Sequence, residues 1–179
     1  MKRIQIEEKE GGKLFKISAY YDQDKQKMFD VWLLAWTLSG LAIFSQVFFL
    51  EDNEMRKMIL IFGAFWAYFE YVAVKAWRWR RGGEEQLFVN EEELHYGRTY
   101  FNRGFLKPYR KDLINAVRDF SDEGNNFIKA FASSYWVIGG SETLALTANG
   151  KVIPFGLDLE PKEAKKLMKE VNRELEARA

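Results

Sequence analysis

The chain has 179 residues, of which 47% are hydrophobic and 16% aromatic, yet its mean hydropathy is −0.33, so the apolar residues must be concentrated in part of the sequence. A formal net charge of +1 argues against a nucleic-acid-binding protein, because such proteins need a strongly basic face or tail. The absence of cysteine excludes disulfides, thiolate zinc sites and cysteine nucleophiles, and the single histidine, His95, leaves little for a metal site or a Ser-His-Asp arrangement.

The N-terminal region is polar and carries an alternating pattern. Residues 4–6 and 14–21 alternate between apolar and polar side chains around Gly11 and Gly12. Alternation with a period of two around a Gly-Gly pair predicts a β-hairpin. No short apolar core with a small-residue cleavage site precedes residue 31, so we expect no signal peptide.

Two apolar segments follow, separated by the polar connection EDNEMRK. Residues 31–50 read VWLLAWTLSGLAIFSQVFFL without a charge, and residues 58–77 read MILIFGAFWAYFEYVAVKAW. At about 1.5 Å per residue, each segment makes about 30 Å of helix, which matches the hydrocarbon core of a bilayer. A buried helix of a soluble protein normally keeps a polar stripe, which residues 31–50 lack. We therefore predict a transmembrane helical hairpin.

Lysine and arginine near the ends of the two segments predict their orientation. Six cations flank the outer ends, namely Lys16, Lys25, Lys27, Arg78, Arg80 and Arg81. The short connection carries two, Arg56 and Lys57. Because cations favour the cytoplasmic side, both termini are expected to be cytoplasmic.

Glu70 lies well inside the second apolar segment, where a carboxylate is energetically costly. Counted from the outer ends, its depth matches that of Thr37 to Ser39 on the first segment. We interpret Glu70 as an intramembrane polar contact with Thr37 or Ser39, or with the helix of another subunit. The alternative is a proton or ion relay, which usually needs several ionisable groups in series.

Seven segments after the hairpin are rich in β-forming residues. They are residues 86–89, 93–98, 101–109, 113–120, 127–138, 143–147 and 152–155. Asn149-Gly150 is the strongest hairpin dipeptide in the chain. Short strands separated by turn residues predict an antiparallel sheet, bent or rolled, with Gly82-Gly83 as a flexible joint before it.

The chain closes with a helical pattern over residues 161–177. Pro161 suits the first helical position. Apolar residues recur at helical spacing at Ala164, Leu167, Met168, Val171 and Leu175. Such a stripe is expected to cover the open end or one face of the sheet.

This arrangement resembles the bacterial pleckstrin-homology-like membrane proteins. The matching stretches are the aromatic-rich spans, the segment GGEEQLFVNEEELHYGRTYFNRGF and the ending GKVIPFGLDLEPKEAKKLMKEV. The resemblance implies an α+β protein of the bacterial inner (cytoplasmic) membrane. Residues 1–28 would form a β-hairpin packed on the soluble domain, residues 29–80 the transmembrane hairpin, and residues 84–179 a cytoplasmic β-roll or barrel closed by the C-terminal helix.

Two basic groups are candidate contacts for lipid headgroups. Arg78, Arg80 and Arg81 follow the second span, and Lys107, Arg110 and Lys111 lie between two predicted strands. Anionic headgroups attract such cations near a membrane surface. The alternative is that the arginines only set the topology and the loop cations only keep the surface soluble.

No catalytic or nucleotide-binding motif is present, and the acidic clusters lack the spacing of a calcium loop. We therefore expect no enzyme, no cofactor and no metal, and we interpret His95 as structural. The favoured hypothesis is a non-enzymatic, membrane-anchored interaction or assembly module, an accessory subunit of a larger membrane complex. Its expected partners are membrane lipids and other membrane subunits or a second copy, and no nucleic acid. The alternatives are an anionic-lipid-sensing domain and a proton- or ion-handling component that uses Glu70.

Overall fold

A computed structural model describes residues 3–120 and 134–177. The elements are β1 (Ile4–Lys9), β2 (Gly12–Ser18), α1 (Gln23–Ser45), a 3-10 turn (Gln46–Phe48), α2 (Asn53–Gly82), β3 (Gly83–Val89), β4 (Glu93–Tyr100), β5 (Lys107–Arg110), a second 3-10 turn (Lys111–Leu113), β6 (Arg118–Asp119), β7 (Glu142–Ala148), β8 (Lys151–Leu157) and α3 (Pro161–Ala177). The described part is thus an α+β chain with three helices and two antiparallel sheets.

The two apolar segments form long helices: α1 starts before its apolar run but ends at Ser45, where a 3-10 turn follows, whereas α2 extends beyond its run at both ends. The Asp22 carboxylate caps α1 by accepting from the backbone N–H groups of Lys25 and Asp24, and these hydrogen bonds lower the pKa of Asp22. Both helices are long and apolar enough to cross a membrane. Only 6% and 11% of their apolar windows are buried, so the described part of the chain leaves their apolar surface uncovered.

The helices pack against each other through glycines that accept aromatic rings. A Cβ atom at Gly40 would overlap the indole of Trp66, and one at Gly63 would overlap the ring of Phe44. Each glycine therefore makes room for a ring of the other helix, in the way that small residues permit close helix approach. This pair of helices is called the apolar hairpin below.

The first sheet joins strands from both sides of the apolar hairpin, in the order β1-β2-β3-β4-β5. β2 pairs with β3 so that Phe15 lies opposite Leu87, although the two helices separate them in sequence. The N-terminal strands form a hairpin with a tight turn at Gly11, whose φ of +79° favours glycine. The N-terminal hairpin is thus an integral part of this sheet.

The second sheet has the order β6-β7-β8. Its β7–β8 turn consists of Asn149 and Gly150 with φ of +52° and +72°, the two positive values that a type I′ turn requires. The hairpin predicted at this dipeptide is therefore confirmed.

One core lies between the two sheets and α3. The predicted helix over residues 161–177 is confirmed, and it buries Leu167 and Val171 against both sheets. The sheets contribute fully buried side chains such as Phe15, Leu87 and Phe155. Burying a side chain of this size stabilises a fold by about 1.5–3 kcal/mol, so this shared core holds the sheets together.

The strands depart from the prediction in four respects. Within residues 3–120 and 134–177 they form two sheets and no closed barrel. The predicted strand 101–109 is reduced to β5, because Phe101 and Asn102 adopt left-handed φ values of 50° and 59° that turn the chain. The predicted strand 113–120 is reduced to the two residues of β6. Residues 127–133 of the predicted strand 127–138 lie outside the described residues. Residues 134–138 form turns and bends.

Gly82 and Gly83 are not a flexible joint, since α2 ends at Gly82 and β3 begins at the next residue. A Cβ atom at Gly82 would overlap the ring of Phe101, and one at Gly83 would overlap Trp79. The two glycines are therefore needed for close packing. The apolar hairpin continues directly into the first sheet.

Candidate functional site at the base of the apolar hairpin

Arg80 lies in the last turn of α2, and its side chain is only 3% exposed. Its guanidinium donates to Asp158 Oδ2 at 2.6 Å and to the backbone carbonyl of Tyr135 at 3.1 Å. The guanidinium also lies 4.6 Å from the centroid of the Tyr135 ring. Arg80 thus joins α2 to the residue that follows β8, and its charge is directed into the protein.

Arg81 contacts the other helix of the apolar hairpin. Its guanidinium donates to Asp30 Oδ2 of α1 at 2.7 Å and stacks 4.5 Å above the ring of Trp77. Asp30 also accepts from the indole N–H of Trp77 at 2.6 Å. Asp30 therefore binds two side chains of α2 and fixes the base of the hairpin.

Residues 134–138 pack against the same base. The ring of Trp136 lies 4.3 Å from Phe29 and 5.0 Å from Trp32, measured between centroids. The hydroxyl of Tyr135 donates to Gln26 Oε1 at 2.9 Å, and burial raises the pKa of Tyr135. The hairpin is therefore held by this segment as well as by its direct continuation into β3.

Arg78 points away from these contacts into a small groove of about 260 Å³. The groove is lined by Tyr71, Val74, Lys75, Arg78 and Tyr100. Arg78 lies 5.7 Å from the centroid of the Tyr100 ring, and burial raises the pKa of Tyr100. Lys75 and Arg78 make no ion pair within residues 3–120 and 134–177. Two cations therefore face an open groove at the end of the apolar helix.

The second basic group lies at a larger cleft of about 790 Å³ between the first sheet and α3. Arg110 pairs with Asp112 at 2.7 Å, and Lys111 is 9% exposed with its ammonium 3.4 Å from the backbone carbonyl of Glu174. Lys107 is exposed on β5 and does not line this cleft. The three cations thus do not converge on one point.

Acidic side chains outnumber basic ones around that cleft. Among the described residues that line it, the acids are Glu91, Glu92, Glu93, Asp112 and Glu176, and the basic residues are Arg110 and Lys111. Most of its lining surface is apolar, with Ile114, Ala116 and Leu175 among the lining residues. The cleft therefore favours a cationic, partly apolar ligand over an anion.

Glu70 contacts Thr37 across the apolar hairpin. The Thr37 hydroxyl lies 2.8 Å from Glu70 Oε1 and 2.7 Å from the carbonyl of Leu33. Ser39 instead donates to the carbonyl of Ala35 on its own helix. Glu70 Oε2 is buried and has no hydrogen-bond partner in the described part of the chain. Thr37 and Glu70 thus form one polar contact between the two helices, in addition to the contacts of Asp30 at their base.

Glu85 is a fully buried acid that the sequence analysis did not single out. Its Oε1 accepts from the Tyr96 hydroxyl at 2.9 Å and from Arg98 Nε at 3.2 Å. Its Oε2 accepts from the backbone N–H groups of Gly156 and Leu157 at 2.7 and 2.9 Å. A carboxylate with four donors is satisfied, so Glu85 joins β3 and β4 to β8 as a structural centre.

Two kinds of site residue escaped prediction. Tyr71 and Lys75 share one helix face with the predicted Arg78, because the three residues are spaced by four and three, and this signal was available in the sequence. Tyr100 and Asp158 reach the base of the hairpin only through the strand pairing and the turn after β8. No local sequence pattern predicts such contacts.

The described residues contain no group of three or more His, Asp or Glu side chains arranged to hold a metal ion. No protein-family model matches the chain, and neither the curated proteins nor the solved structures contain a match.

Proposed function

We propose that the protein is a non-enzymatic interaction module, an accessory subunit that anchors in the bacterial inner membrane and holds a partner against it. In this proposal the apolar hairpin crosses the bilayer, both termini are cytoplasmic, and the two sheets with α3 form a domain of the pleckstrin-homology-like kind. The observation that carries the proposal is the rigid connection of the hairpin to the sheets.

The exposure of the helices supports membrane insertion. Val31, Leu34 and Phe65 are 71%, 62% and 64% exposed, far more than side chains in the core helix of a soluble protein. Soluble monomers rarely expose contiguous apolar patches larger than a few hundred Å². Lipid is the environment that such helices fit, and the six cations at their outer ends favour cytoplasmic termini.

The rigid connection supports a scaffolding role. α2 continues into β3 without a linker, Arg80 is paired with Asp158, and Trp136 packs on α1. A domain held this way has a fixed orientation relative to the bilayer. It always presents the same surface to a membrane partner, whereas a domain on a flexible linker would sample many orientations.

The cleft beside α3 is the surface that best fits a partner. An apolar lining with a net acidic rim complements a basic, partly apolar segment of another protein. We propose that a membrane subunit inserts such a segment between β5 and α3.

Topology is tested by introducing single cysteines into a chain that has none. In intact bacterial cells, a membrane-impermeant maleimide is expected to label Glu51→Cys in the connection between the helices and to leave Glu8→Cys unlabelled until lysis. Labelling of both positions in intact cells, or release of the protein from membranes by alkaline carbonate, would overturn the membrane proposal.

The partner is tested by gentle purification of the full-length protein from its native membrane, followed by mass spectrometry. A stoichiometric membrane protein is expected that is lost from Glu91→Lys/Glu92→Lys and retained by Glu8→Lys/Asp119→Lys. The control pair makes the same charge change at exposed acids outside the cleft. A lone monomer, or equal retention by both variants, would overturn the assignment of the cleft.

Anionic-lipid sensing is the second candidate function, and the groove beside Arg78 favours it. The cleft with Arg110 and Lys111 does not, because those cations already have protein partners. Ion handling through Glu70 stays a prediction, and its one hydrogen-bond contact across the hairpin suits a structural role equally well.

A further inference from the structure

The groove at the end of α2 brings together groups of two kinds. Lys75 and Arg78 supply two positive charges one helical turn apart, and Tyr71 and Tyr100 supply two phenol hydroxyls. Neither hydroxyl has a hydrogen-bond partner in the described part of the chain. Cations and hydroxyl donors around one small concavity are the groups that bind a phosphate diester.

The cations of this groove differ from the neighbouring arginines. Arg80 and Arg81 have carboxylate partners at 2.6 and 2.7 Å, so binding an anion there would require breaking an ion pair. Within the described part of the chain, Arg78 makes a cation–π contact with Tyr100 and no ion pair, and Lys75 is exposed. The charge of the groove is therefore available to an external anion.

The groove is also held in shape. Tyr100 packs edge-on against Trp79 with 5.5 Å between centroids, and Trp79 is 1% exposed. Tyr100 is carried by β4 and Arg78 by α2, and the direct connection between α2 and β3 fixes the distance between these elements. The site is thus largely formed before a ligand arrives, which reduces the entropy lost on binding.

The groove is expected to lie at the depth of the lipid headgroups. Lys75 and Arg78 are about 4.5 Å apart along the helix axis, within the thickness of about 6 Å of one headgroup layer. The side chain of Tyr68 lies about one helical turn before Tyr71 on the same face of α2 and is 62% exposed, where an acyl chain would run.

We infer that this groove binds the phosphate of an anionic phospholipid, with Lys75 and Arg78 on the phosphate oxygens and Tyr71 and Tyr100 as hydrogen-bond donors. The lipid would fill the angle between the hairpin and the first sheet. The inference rests on the membrane insertion proposed above and adds a specific lipid site to it.

The test uses the full-length protein in mild detergent and counts bound lipids by native mass spectrometry during a titration with phosphatidylglycerol. The wild type is expected to retain one phosphatidylglycerol molecule under conditions that strip the others. Lys75→Gln/Arg78→Gln is expected to weaken this retention by at least about tenfold, because each cation contributes about a factor of five at a membrane surface.

The matched control is Lys25→Gln/Lys27→Gln, which removes two charges from the same end of the hairpin without touching the groove. It is expected to change retention by less than about twofold, since long-range attraction alone is screened by salt. Equal losses in the two variants, or equal retention of phosphatidylcholine by the wild type, would overturn a specific anionic-lipid site.

A further arm adds soluble glycerol phosphate as a competitor. Displacement of the lipid at millimolar competitor would overturn the lipid assignment in favour of a soluble phosphate ligand, and no displacement supports it. If the groove variant and its control retain phosphatidylglycerol equally while the maleimide labelling shows the expected topology, this inference alone is contradicted. Release of the protein by alkaline carbonate would contradict both this inference and the membrane proposal.

Discussion

The guanidinium of Arg80 lies 2.6 Å from the carboxylate of Asp158, and this ion pair joins the last turn of α2 to the end of β8. The Arg80 side chain is 3% exposed and that of Asp158 is 19% exposed. A charge this deeply buried needs its partner, because an uncompensated ion inside a protein carries a large desolvation penalty. Because this pair connects α2 to the end of β8, we expect the stability of the second sheet to depend on the position of the apolar hairpin.

Asp158→Asn tests this dependence. Asparagine tolerates the left-handed backbone at this position, where φ is +55°, so the substitution removes the charge without straining the turn. We expect a loss of about 3 kcal/mol in the free energy of unfolding, because Arg80 remains buried without a counter-ion. Denaturant titration in mild detergent, followed by tryptophan fluorescence, measures this loss.

Arg110→Ala is the matched control, since it also breaks an ion pair at 2.7 Å, but one whose side chains are 70% and 57% exposed. Exposed pairs contribute about 0–1 kcal/mol, so this variant is expected to stay close to the wild type. Similar losses in both variants would contradict the structural role of the Arg80–Asp158 pair.

Local patterns explain which parts of the fold could be predicted. The apolar runs of α1 and α2, the Asn149-Gly150 turn and the apolar stripe of α3 are each encoded within a short stretch of sequence, and each appears in the structure. The pairing of β2 with β3 depends on contacts across two helices, and no local pattern specifies it.

The three arginines after α2 show the same limit. At about 100° per residue, Arg80 points about 200° away from Arg78, so the sequence places them on different faces of the helix. Which face meets the second sheet depends on the position of Asp158, 78 residues further along the chain. The sequence therefore predicts the three arginines as one basic group, but it does not show which of them are buried and which are exposed.

Glu85→Gln is expected to weaken the junction between the two sheets. The carboxylate accepts four hydrogen bonds, whereas a glutamine side chain has one oxygen acceptor and presents N–H donors at the other position. Two donors would lose their partner, at about 1–3 kcal/mol each, so we expect a loss of at least about 2 kcal/mol. The unfolding free energy measures it, with Glu84→Gln on the same strand, whose side chain is only partly buried, as the control. An equal effect of both substitutions would show that the network contributes little.

Tyr96 makes the stability of this junction depend on pH. Burial and the neighbouring Glu85 carboxylate, to which the Tyr96 hydroxyl donates, raise the pKa of Tyr96 well above its usual value near 10. A raised pKa in the folded state means that the contribution is complete below the unfolded pKa. It is lost as the pH rises above 10 toward the folded value. Across that range we expect a decrease of about 1.4 kcal/mol per pH unit from this group.

Tyr96→Phe separates this effect from the titration of lysines and other tyrosines. The variant is expected to lose about 1 kcal/mol at neutral pH, because its hydrogen bond to Glu85 is gone. Above pH 10 its unfolding free energy is expected to fall less steeply than that of the wild type. Parallel pH profiles for the two proteins would mean that Tyr96 titrates alike in the folded and unfolded states.

The contact between Thr37 and Glu70 is expected to couple the two helices of the apolar hairpin. A double-mutant cycle of Thr37→Val and Glu70→Leu should give a coupling free energy of about 0.6–1.7 kcal/mol, the range of polar contacts between helices in a membrane. The same cycle with Ser39→Ala should give none, because Ser39 donates to its own helix. Since two residues along a helix are about 200° apart, coupling of Glu70 to Ser39 would require a different rotation of α1. In that case Gly40 would no longer face Trp66, which would contradict the packing of α1 against α2.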